Sequence, residues 1–179
     1  EKGLLVFTDG SVGSDNCGGY GYHMVLSQDY LSLIKAVSEV DGLDLAEAEL
    51  LEERIRRYSQ LSQSKDLQWR IDHSAWLSDR CSIDFCEAYA IRDSLIRLTH
   101  LLRVSPDSQN FQHVTVVSDS QTVINWISGA YSIRNSVMKG VLDDIMWQMA
   151  CLKEEFGISV AMQWVRSHEG TMGNEYVDG

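Results

Sequence analysis

The sequence predicts an α/β fold in which a five-stranded mixed sheet is flanked by helices. Two observations support this prediction. Apolar runs of strand length lie close together near the amino terminus, whereas from Asp84 onward such runs alternate with apolar residues at helical spacing. Strands joined by short links pair antiparallel, and strands separated by helices pair parallel. The predicted order is therefore β-β-β-α-β-α-α-β, and a last helix begins near Asn174.

The first three predicted strands are Leu4 to Thr8, Tyr20 to Leu26 and Leu31 to Val37. The first strand is strongly apolar and ends at Asp9-Gly10. A connection rich in glycine and polar residues separates it from the second strand. Because the connections are short, we predict that the three strands form an antiparallel meander.

The carboxyl-terminal half supplies the remaining elements. A helix that begins at Asp84 has apolar residues at helical spacing, and it should end before Pro106 because proline disfavours a helical residue in front of it. The elements that follow are a strand (Val114 to Ser118), a helix (Ser120 to Ile127), a second amphipathic helix (Val137 to Leu152), a strand (Ile158 to Val165) and a loop (Arg166 to Gly173).

Residues 41–83 do not fit this pattern. A strand-to-helix link normally takes about 2–6 residues, so this much longer segment is predicted to be an insertion with structure of its own. Asp44 to Leu61 has the pattern of a helix, with oppositely charged side chains at a spacing that lets them pair. We expect Trp69 and Trp76 to form a small packed patch in the rest of the segment.

Length and composition favour a single domain over residues 1–179. Hydrophobic residues make up 44% of the 179 residues, which is enough for one well-buried core and too few for two full-sized domains. No apolar run is long enough to cross a bilayer, and the first residues lack the pattern of a secretion signal. We therefore expect an intracellular protein, cytoplasmic or nuclear, without a membrane partner. The cysteines form no C-x-x-C pair, which argues against zinc and disulfides.

The net charge of −11 is unusual for a protein that binds nucleic acid by itself, because Lys and Arg supply most such affinity. Part of the acidity is explained if some carboxylates bind metal ions. Much of any substrate binding would then come from a neighbouring domain. The chain begins at Glu1, close to its first strand, and stops one residue after Asp178, which leads us to expect part of a larger protein.

Four acidic residues lie at the ends of predicted strands or helices: Asp9, Glu87, Asp119 and Asp178. Each has an ordinary explanation on its own. Asp9 begins a common hairpin dipeptide, and Glu87 could complete a capping box with Asp84. Asp119 could cap the next helix, and Asp178 could interact with a helix dipole. If the fold gathers them, they form a cluster that needs divalent cations to persist, as phosphodiester hydrolysis requires.

Four segments resemble the signature segments of the type 1 ribonuclease H family. These are TDGS (8–11), CEAYAIRDSL (86–95), SDSQTVINWI (118–127) and SHEGTMGNEYVD (167–178), and the resemblance covers nearly the whole chain except about residues 41–83. In that family, the fold is a five-stranded mixed sheet with helices. The enzyme cleaves the RNA strand of RNA–DNA hybrids with two magnesium ions. The resemblance implies this fold and activity here, with Mn²⁺ as a substitute for Mg²⁺.

The resemblance also implies roles for individual residues. The metal-binding catalytic carboxylates would be Asp9, Glu87, Asp119 and Asp178. His168 would match the family's loop histidine, which is thought to assist proton transfer or product release. Asn174 and Glu175 would order the final loop. Contacts to the substrate would come from a further set of polar residues, namely Ser11, Asn16, Cys17, Gln121 and Asn125.

The sequence departs from many cellular members of the family between Tyr131 and Gly140. Those members carry a basic helix with tryptophan before the last strand, whereas here only Arg134 and Lys139 are basic. We therefore expect weak hybrid binding by the isolated domain. This departure suggests the ribonuclease H portion of a reverse transcriptase or retroelement polyprotein, in which a polymerase shares the substrate. A freestanding cellular enzyme is the alternative.

Other nucleases of related fold match less well. Proofreading exonucleases resemble an Asp-x-Glu pattern on the first strand, where this chain has Ser11. Transposase and integrase domains place their Glu after the second Asp, whereas Glu87 precedes Asp119. The alternative from another class is a catalytically silent domain that acts as a spacer or interaction platform in a larger nucleic-acid-processing protein. Such domains would be expected to lack one or more carboxylates, and here all four are present.

Overall fold

Five strands form one mixed sheet in the part of the chain that the structure, a computed structural model, describes: residues 2–38, 46–64, 67, 69–77 and 80–178. The strands are β1 (Gly3–Val12), β2 (Gly18–Leu26), β3 (Arg70–Trp76), β4 (His113–Ser118) and β5 (Ser159–Trp164). The helices are α1 (Ser27–Val37), α2 (Glu47–Ser64), α3 (Ile83–Val104), α4 (Gln121–Ile127), α5 (Ser136–Phe156) and α6 (Met172–Asp178).

The strand order in the sheet is β3-β2-β1-β4-β5. Strand β2 pairs antiparallel with both β1 and β3, whereas β4 pairs parallel with both β1 and β5. The structure thus confirms the predicted mixed sheet, with three antiparallel strands followed by parallel ones. Because β1 and β4 run in the same direction, their carboxyl ends lie at the same edge of the sheet.

The predicted third strand, Leu31 to Val37, is wrong, because these residues belong to α1. Tyr30, Leu33, Ile34 and Val37 recur at helical spacing and pack together against the sheet, while Leu31 is 67% exposed. The segment is too short for its apolar residues to distinguish a period of two from a period of 3.6. The meander is therefore interrupted by two helices.

The true third strand, β3, lies inside residues 41–83, which we predicted to be an insertion. Its sequence RIDHSAW is polar, and most of its residues are exposed or half-buried because it forms the edge of the sheet. Helix α2 agrees with the predicted helix, although the predicted start at Asp44 lies outside the described residues. The predicted tryptophan patch is wrong, since Trp69 packs on Phe111 and Trp76 is 81% exposed.

The other predicted elements are confirmed within a few residues. Helix α3 ends at Val104, two residues before Pro106, and β4, α4, α5 and β5 lie where the apolar pattern places them. The last helix begins at Met172 rather than near Asn174. None of the helices in the described ranges combines the length and apolar character that a bilayer span needs.

Two apolar clusters cover the two faces of the sheet. The larger one joins the sheet to α3, α4 and α5, and includes Leu4, Ile91 and Leu142. The smaller one joins the opposite face to α1, α2 and α6, and includes Phe7 and Tyr58. Side chains alternate between the faces along a strand, so neighbouring residues of β1 belong to different clusters.

Gly10 allows α3 to approach β1 closely. A Cβ atom at this position would lie 2.5 Å from the backbone nitrogen of Glu87 and 2.7 Å from the Cys86 carbonyl carbon. Both contacts are to backbone, which cannot turn away as a flexible side chain could. The absence of a side chain at Gly10 therefore sets the position of Glu87 relative to β1.

We expect Gly10→Ala to destabilise the protein by about 1–3 kcal/mol, because the added methyl group forces α3 away from β1. Chemical denaturation monitored by circular dichroism would measure this loss. The matched control is Gly140→Ala in α5, where a Cβ atom meets nothing within 4 Å. That change should stabilise the helix by about 0.5–1 kcal/mol. Equal effects of the two substitutions would contradict the close-approach argument.

Candidate metal centre

The parallel pairing of β1 and β4 brings Asp9 next to Asp119. Phe7 is paired with Val117, so the residues that follow at the carboxyl ends of the two strands are neighbours. Asp9 is 7% exposed and lies inside β1, opposite Gly21 of β2. The hairpin turn comes later, where the Gly13 N–H donates to the Cys17 carbonyl. Asp9 is therefore not a turn residue, and its carboxylate is free for another role.

Helix α3 supplies Glu87 from its first turns. The N-cap of α3 is Ser82, whose hydroxyl oxygen accepts a hydrogen bond from the Phe85 N–H at 3.2 Å. The capping box that we considered for Glu87 and Asp84 is therefore wrong. Glu87 is 4% exposed and points toward the sheet. One turn of helix separates it from Ile91, which is also fully buried.

Asp119 follows β4 directly and does not cap the next helix. The N-cap of α4 is Ser120, whose hydroxyl accepts from the Val123 N–H. The backbone of Asp119 is fixed from β5, because the Trp164 indole N–H donates to the Asp119 carbonyl oxygen at 3.0 Å. Its carboxylate is half-buried and faces the other acidic residues.

Asp178 is the last residue of α6, rather than a residue of its first turn. At this end the helix dipole is negative, so the dipole does not stabilise the carboxylate as we had considered. Gly173 allows α6 to lie against β1, since a Cβ atom there would stand 2.4 Å from the Phe7 ring. This contact and the direction of α6 bring Asp178 close to Asp9.

Oxygen atoms of Asp9, Glu87 and Asp119 lie within 4.8 Å of one another. Glu87 Oε2 is buried and has no hydrogen-bond partner. A buried polar atom without a partner is costly, and a bound cation would remove that cost. Oxygen ligands from carboxylates are those that Mg²⁺ and Mn²⁺ prefer. The three residues therefore fit a hard divalent cation, and Asp178 lies at the edge of the same cluster.

The acid–base properties of this group follow from burial and mutual repulsion. Burial, with the charges of Asp178 and Asp119, raises the pKa of Asp9 to about 7. Burial, with the charges of Asp9 and Asp119, raises the pKa of Glu87 to about 9. Without a cation the cluster therefore holds protons at neutral pH. Binding a divalent ion requires their release, so the affinity for metal should rise with pH.

His168 lies in the loop before α6, next to a second acidic group. Its Nδ1 is 3.3 Å from Asp178 Oδ2 and 3.7 Å from Glu175 Oε2, and its ring is 68% exposed. Its φ of 56° places it in the left-handed region, which turns the loop toward α6. The Gly170 N–H donates to Glu175 Oε1 at 3.2 Å, so Glu175 does order this loop as predicted. The sequence analysis did not predict that Glu175 lies close to His168.

Of the residues predicted to contact substrate, Ser11 shares a cavity of about 590 Å³ with Asp9 and Asp178. Asn16 and Cys17 lie in the β1–β2 turn, where Asn16 has a left-handed φ of 62°. Gln121 is exposed and Asn125 half-buried on α4, the helix that follows Asp119. Nothing in these positions tests their roles, which stay predictions.

Sequence reasoning missed two tryptophans beside this site. Trp76 lines the same cavity as Asp9, and the Trp164 indole N–H donates a hydrogen bond to the Asp119 carbonyl. Trp164 stands directly before the segment VRSH, which ends at His168. The available signal was an aromatic residue near the end of a predicted strand, just before the loop that carries His168.

No family model and no curated protein matches this sequence, so the comparisons that inform on it are structural. RNase H1 from the halophilic archaeon Halobacterium salinarum superposes with a TM-score of 0.58 at 12% identity, over 98% of this chain and 92% of that one. The chain has the ribonuclease H fold. The N-terminal RNase H domain of a Mycobacterium tuberculosis protein has the same TM-score at 11% identity, over 98% and 96% of the two chains.

Two further structures with the ribonuclease H fold were determined with nucleic acid. LC11-RNase H1 in complex with an RNA/DNA hybrid has a TM-score of 0.53 at 16% identity, over 98% of this chain and 94% of that one. The foamy viral protease-reverse transcriptase in complex with an RNA/DNA hybrid has a TM-score of 0.50 at 8% identity. The match covers 98% of this chain and 19% of the viral one. At these identities, the likeness establishes the fold.

We expect the metal-free protein to lose thermal stability as the pH rises from about 5 to about 9. The raised pKa values mean that the folded state holds protons on Asp9 and Glu87 that the unfolded chain releases above about pH 4–5. Differential scanning calorimetry in EDTA would measure this trend. Excess Mn²⁺ should reduce it, because the ion stabilises the deprotonated carboxylates.

Glu87→Gln should flatten this pH dependence and raise the Tm in EDTA at pH 8 by about 2–4 °C, which corresponds to about 1 kcal/mol. The amide is neutral at every pH, so the folded state no longer has to take up a proton at this position, and the amide can donate to Asp9. The control is Glu154→Gln, which alters an exposed carboxylate of α5 and should leave the dependence unchanged. A Tm in EDTA that is level or rises with pH would show that the carboxylates do not repel one another.

Proposed function

We propose that this chain is a divalent-metal-dependent endonuclease that hydrolyses the RNA strand of RNA–DNA hybrids. The observation that carries the proposal is the convergence of Asp9, Glu87 and Asp119 from three separate elements, with a buried Glu87 oxygen that lacks a partner. Buried like charges at this distance are unfavourable unless they bind a cation. The ribonuclease H fold and its hybrid-bound examples support the choice of substrate.

Asp9, Glu87, Asp119 and Asp178 are the residues that would hold two divalent ions. Bound there, the ions would activate a water molecule and stabilise the leaving 3′ oxygen, which gives products with 5′-phosphate and 3′-hydroxyl ends. The rigid frame of β1, β4 and α3 fixes three of the carboxylates before any ion binds. Asp178 sits at the open side of the cluster, with a side chain that is 41% exposed, where substrate can approach.

His168 is proposed to assist proton transfer or product release. It is exposed at the mouth of the site, and its imidazole nitrogens can donate or accept a hydrogen bond there. Its contact with Asp178 keeps the ring near the cluster without burying it. A group placed in this way can exchange protons between the site and bulk water.

Ser11, Asn16, Cys17, Gln121 and Asn125 are proposed to contact the hybrid. They lie on the β1–β2 hairpin and on α4, on elements next to Asp9 and Asp119. Contacts to ribose 2′-hydroxyls and to the backbone would distinguish RNA without reading base sequence. Because the chain carries a net charge of −11, we infer that a polymerase or hybrid-binding domain of the same polypeptide supplies much of the affinity.

We expect the protein to cleave a labelled RNA–DNA hybrid in Mg²⁺ or Mn²⁺ but not in EDTA. Asp119→Asn should lower the rate at least about 100-fold, because it removes a ligand charge from the metal centre. The assay is best run at low salt, where weak electrostatic binding is strongest. The control is Asp143→Asn, which makes the same chemical change at an exposed position of α5. A folded wild-type protein that binds no Mn²⁺ and leaves the hybrid intact would instead be a silent domain.

His168→Ala should lower kcat about tenfold or more, with little change in KM or in Mn²⁺ binding, because the residue is proposed to move protons rather than to hold the ions. Steady-state kinetics and calorimetric titration with Mn²⁺ would separate these effects. His100→Ala, at an exposed site late in α3, is the control. A loss of Mn²⁺ affinity in His168→Ala would assign His168 to the metal centre instead.

A further inference from the structure

Helix α6 has seven residues and carries both Glu175 and Asp178. A helix of this length is not stable by itself, because helix nucleation is costly and few hydrogen bonds follow it. Its position must therefore be set by what it packs against. On one side α6 lies on β1 and β2, where Gly173 meets the Phe7 ring. On its other side lie α1 and α2, the two helices that separate β2 from β3.

Both of these helices contact α6 through tyrosines, of which Tyr58 is buried and Tyr30 is half-buried. The Tyr58 ring of α2 is fully buried, and its centroid lies 5.4 Å from that of Tyr176 in α6. The Tyr30 hydroxyl of α1 lies near the Gly173 backbone, and the centroid of its ring lies 5.0 Å from that of Phe7. Tyr30 and Tyr58 also contact each other, with ring centroids 6.2 Å apart. Together they form an aromatic layer over α6.

A chain of hydrogen bonds fixes Tyr58 to the sheet. Tyr58 Oη lies 2.9 Å from Nε2 of the buried His23 in β2, and His23 Nδ1 lies 2.6 Å from Asp72 Oδ1 in β3. Arg70 Nη2 pairs with Asp72 Oδ2 at 2.6 Å. In the tautomer that carries its hydrogen on Nδ1, the His23 ring donates to Asp72, and Nε2 accepts the hydrogen of the Tyr58 hydroxyl. The His23 ring also packs edge-on against Tyr176 at 5.0 Å.

We propose that Tyr58 and Tyr30 are positioning residues: α1 and α2 act as a brace that holds α6, and with it Asp178, against the metal centre. This proposal rests on the proposed function only where it assigns Asp178 to the metal centre. The packing of α6 can be tested without that function, because the brace predicts which part of the chain opens when the aromatic layer is removed. Without the brace, α6 should open locally while the rest of the sheet stays folded.

The test is amide hydrogen exchange of the full chain, measured residue by residue by NMR. In Tyr58→Leu, the amides of Tyr176 and Val177 should exchange at least about tenfold faster relative to those of Leu95 and Leu98 in α3. Tyr58→Phe keeps the ring but loses the bond to His23, so it should show a smaller increase. Because Tyr58→Phe is the milder change, it serves if Tyr58→Leu does not fold.

The matched control is Trp69→Leu. Trp69 is also a buried aromatic residue with a hydrogen bond, from Nε1 to the Ser108 carbonyl, but it packs on Phe111 at the opposite end of β4 from the site. Its loss should destabilise the chain without changing the ratio of exchange rates between α6 and α3. The same ratio in Trp69→Leu and in the Tyr58 variants would overturn the brace, as would unchanged protection of α6.

Calorimetric titration with Mn²⁺ connects the brace to the site. If Asp178 is positioned by the brace, Tyr58→Leu should weaken Mn²⁺ binding several-fold, and Tyr58→Phe should restore part of the affinity. Full Mn²⁺ affinity in a variant whose α6 exchanges fast would show that the brace does not position a ligand. A wild-type protein that binds no Mn²⁺ would overturn the proposed function, and the exchange ratios would still decide whether the brace exists.

Discussion

The repulsion between buried carboxylates is the constraint on which the rest of this structure depends. Asp9 and Glu87 lie in a region that water barely reaches, with Asp119 beside them. Such a group is destabilising unless it takes up protons or cations. A fold that keeps it must supply a rigid frame, because flexible carboxylates would separate and return to water. The parallel pair β1–β4 and the close contact of α3 at Gly10 provide this frame.

The frame and the final helix contribute to the site in different ways. Asp9 and Asp119 are fixed by neighbouring strands, and Glu87 belongs to a 22-residue helix with a buried face. Asp178 belongs to a seven-residue helix, whose Tyr176 packs against Tyr58 and His23. The three carboxylates on the frame and the one on α6 thus depend on different contacts for their positions. Asp178 is the most exposed of the four, and its carboxylate lies 3.3 Å from His168 Nδ1.

The sequence predicted the elements whose pattern is set by burial on one face, such as α3 and β4. The prediction failed where the spacing of apolar residues does not show which residues are buried. Strand β3 is an edge strand with polar residues, so RIDHSAW lacks the apolar alternation that marks a strand. Residues 31–37 are apolar at positions that suit either period, and only the packing of Leu33 and Val37 against the sheet settles that they are helical. Both of these errors lie between β2 and α3, outside the four segments that carry the resemblance.

The carboxylates show why a site can be predicted jointly when its members cannot be predicted singly. A local rule assigns Asp9 to a turn, Asp119 to a cap and Asp178 to a helix start, and in the structure each of these local roles is absent or belongs to a neighbour. Ser82 and Ser120 cap the helices, and the hairpin turn follows Gly13. When the ordinary role of an acidic side chain is filled by another residue, its carboxylate is left to meet the others. The position of Ser120 was thus a usable signal in the sequence, because a serine at the cap of α4 leaves the neighbouring Asp119 carboxylate without that role.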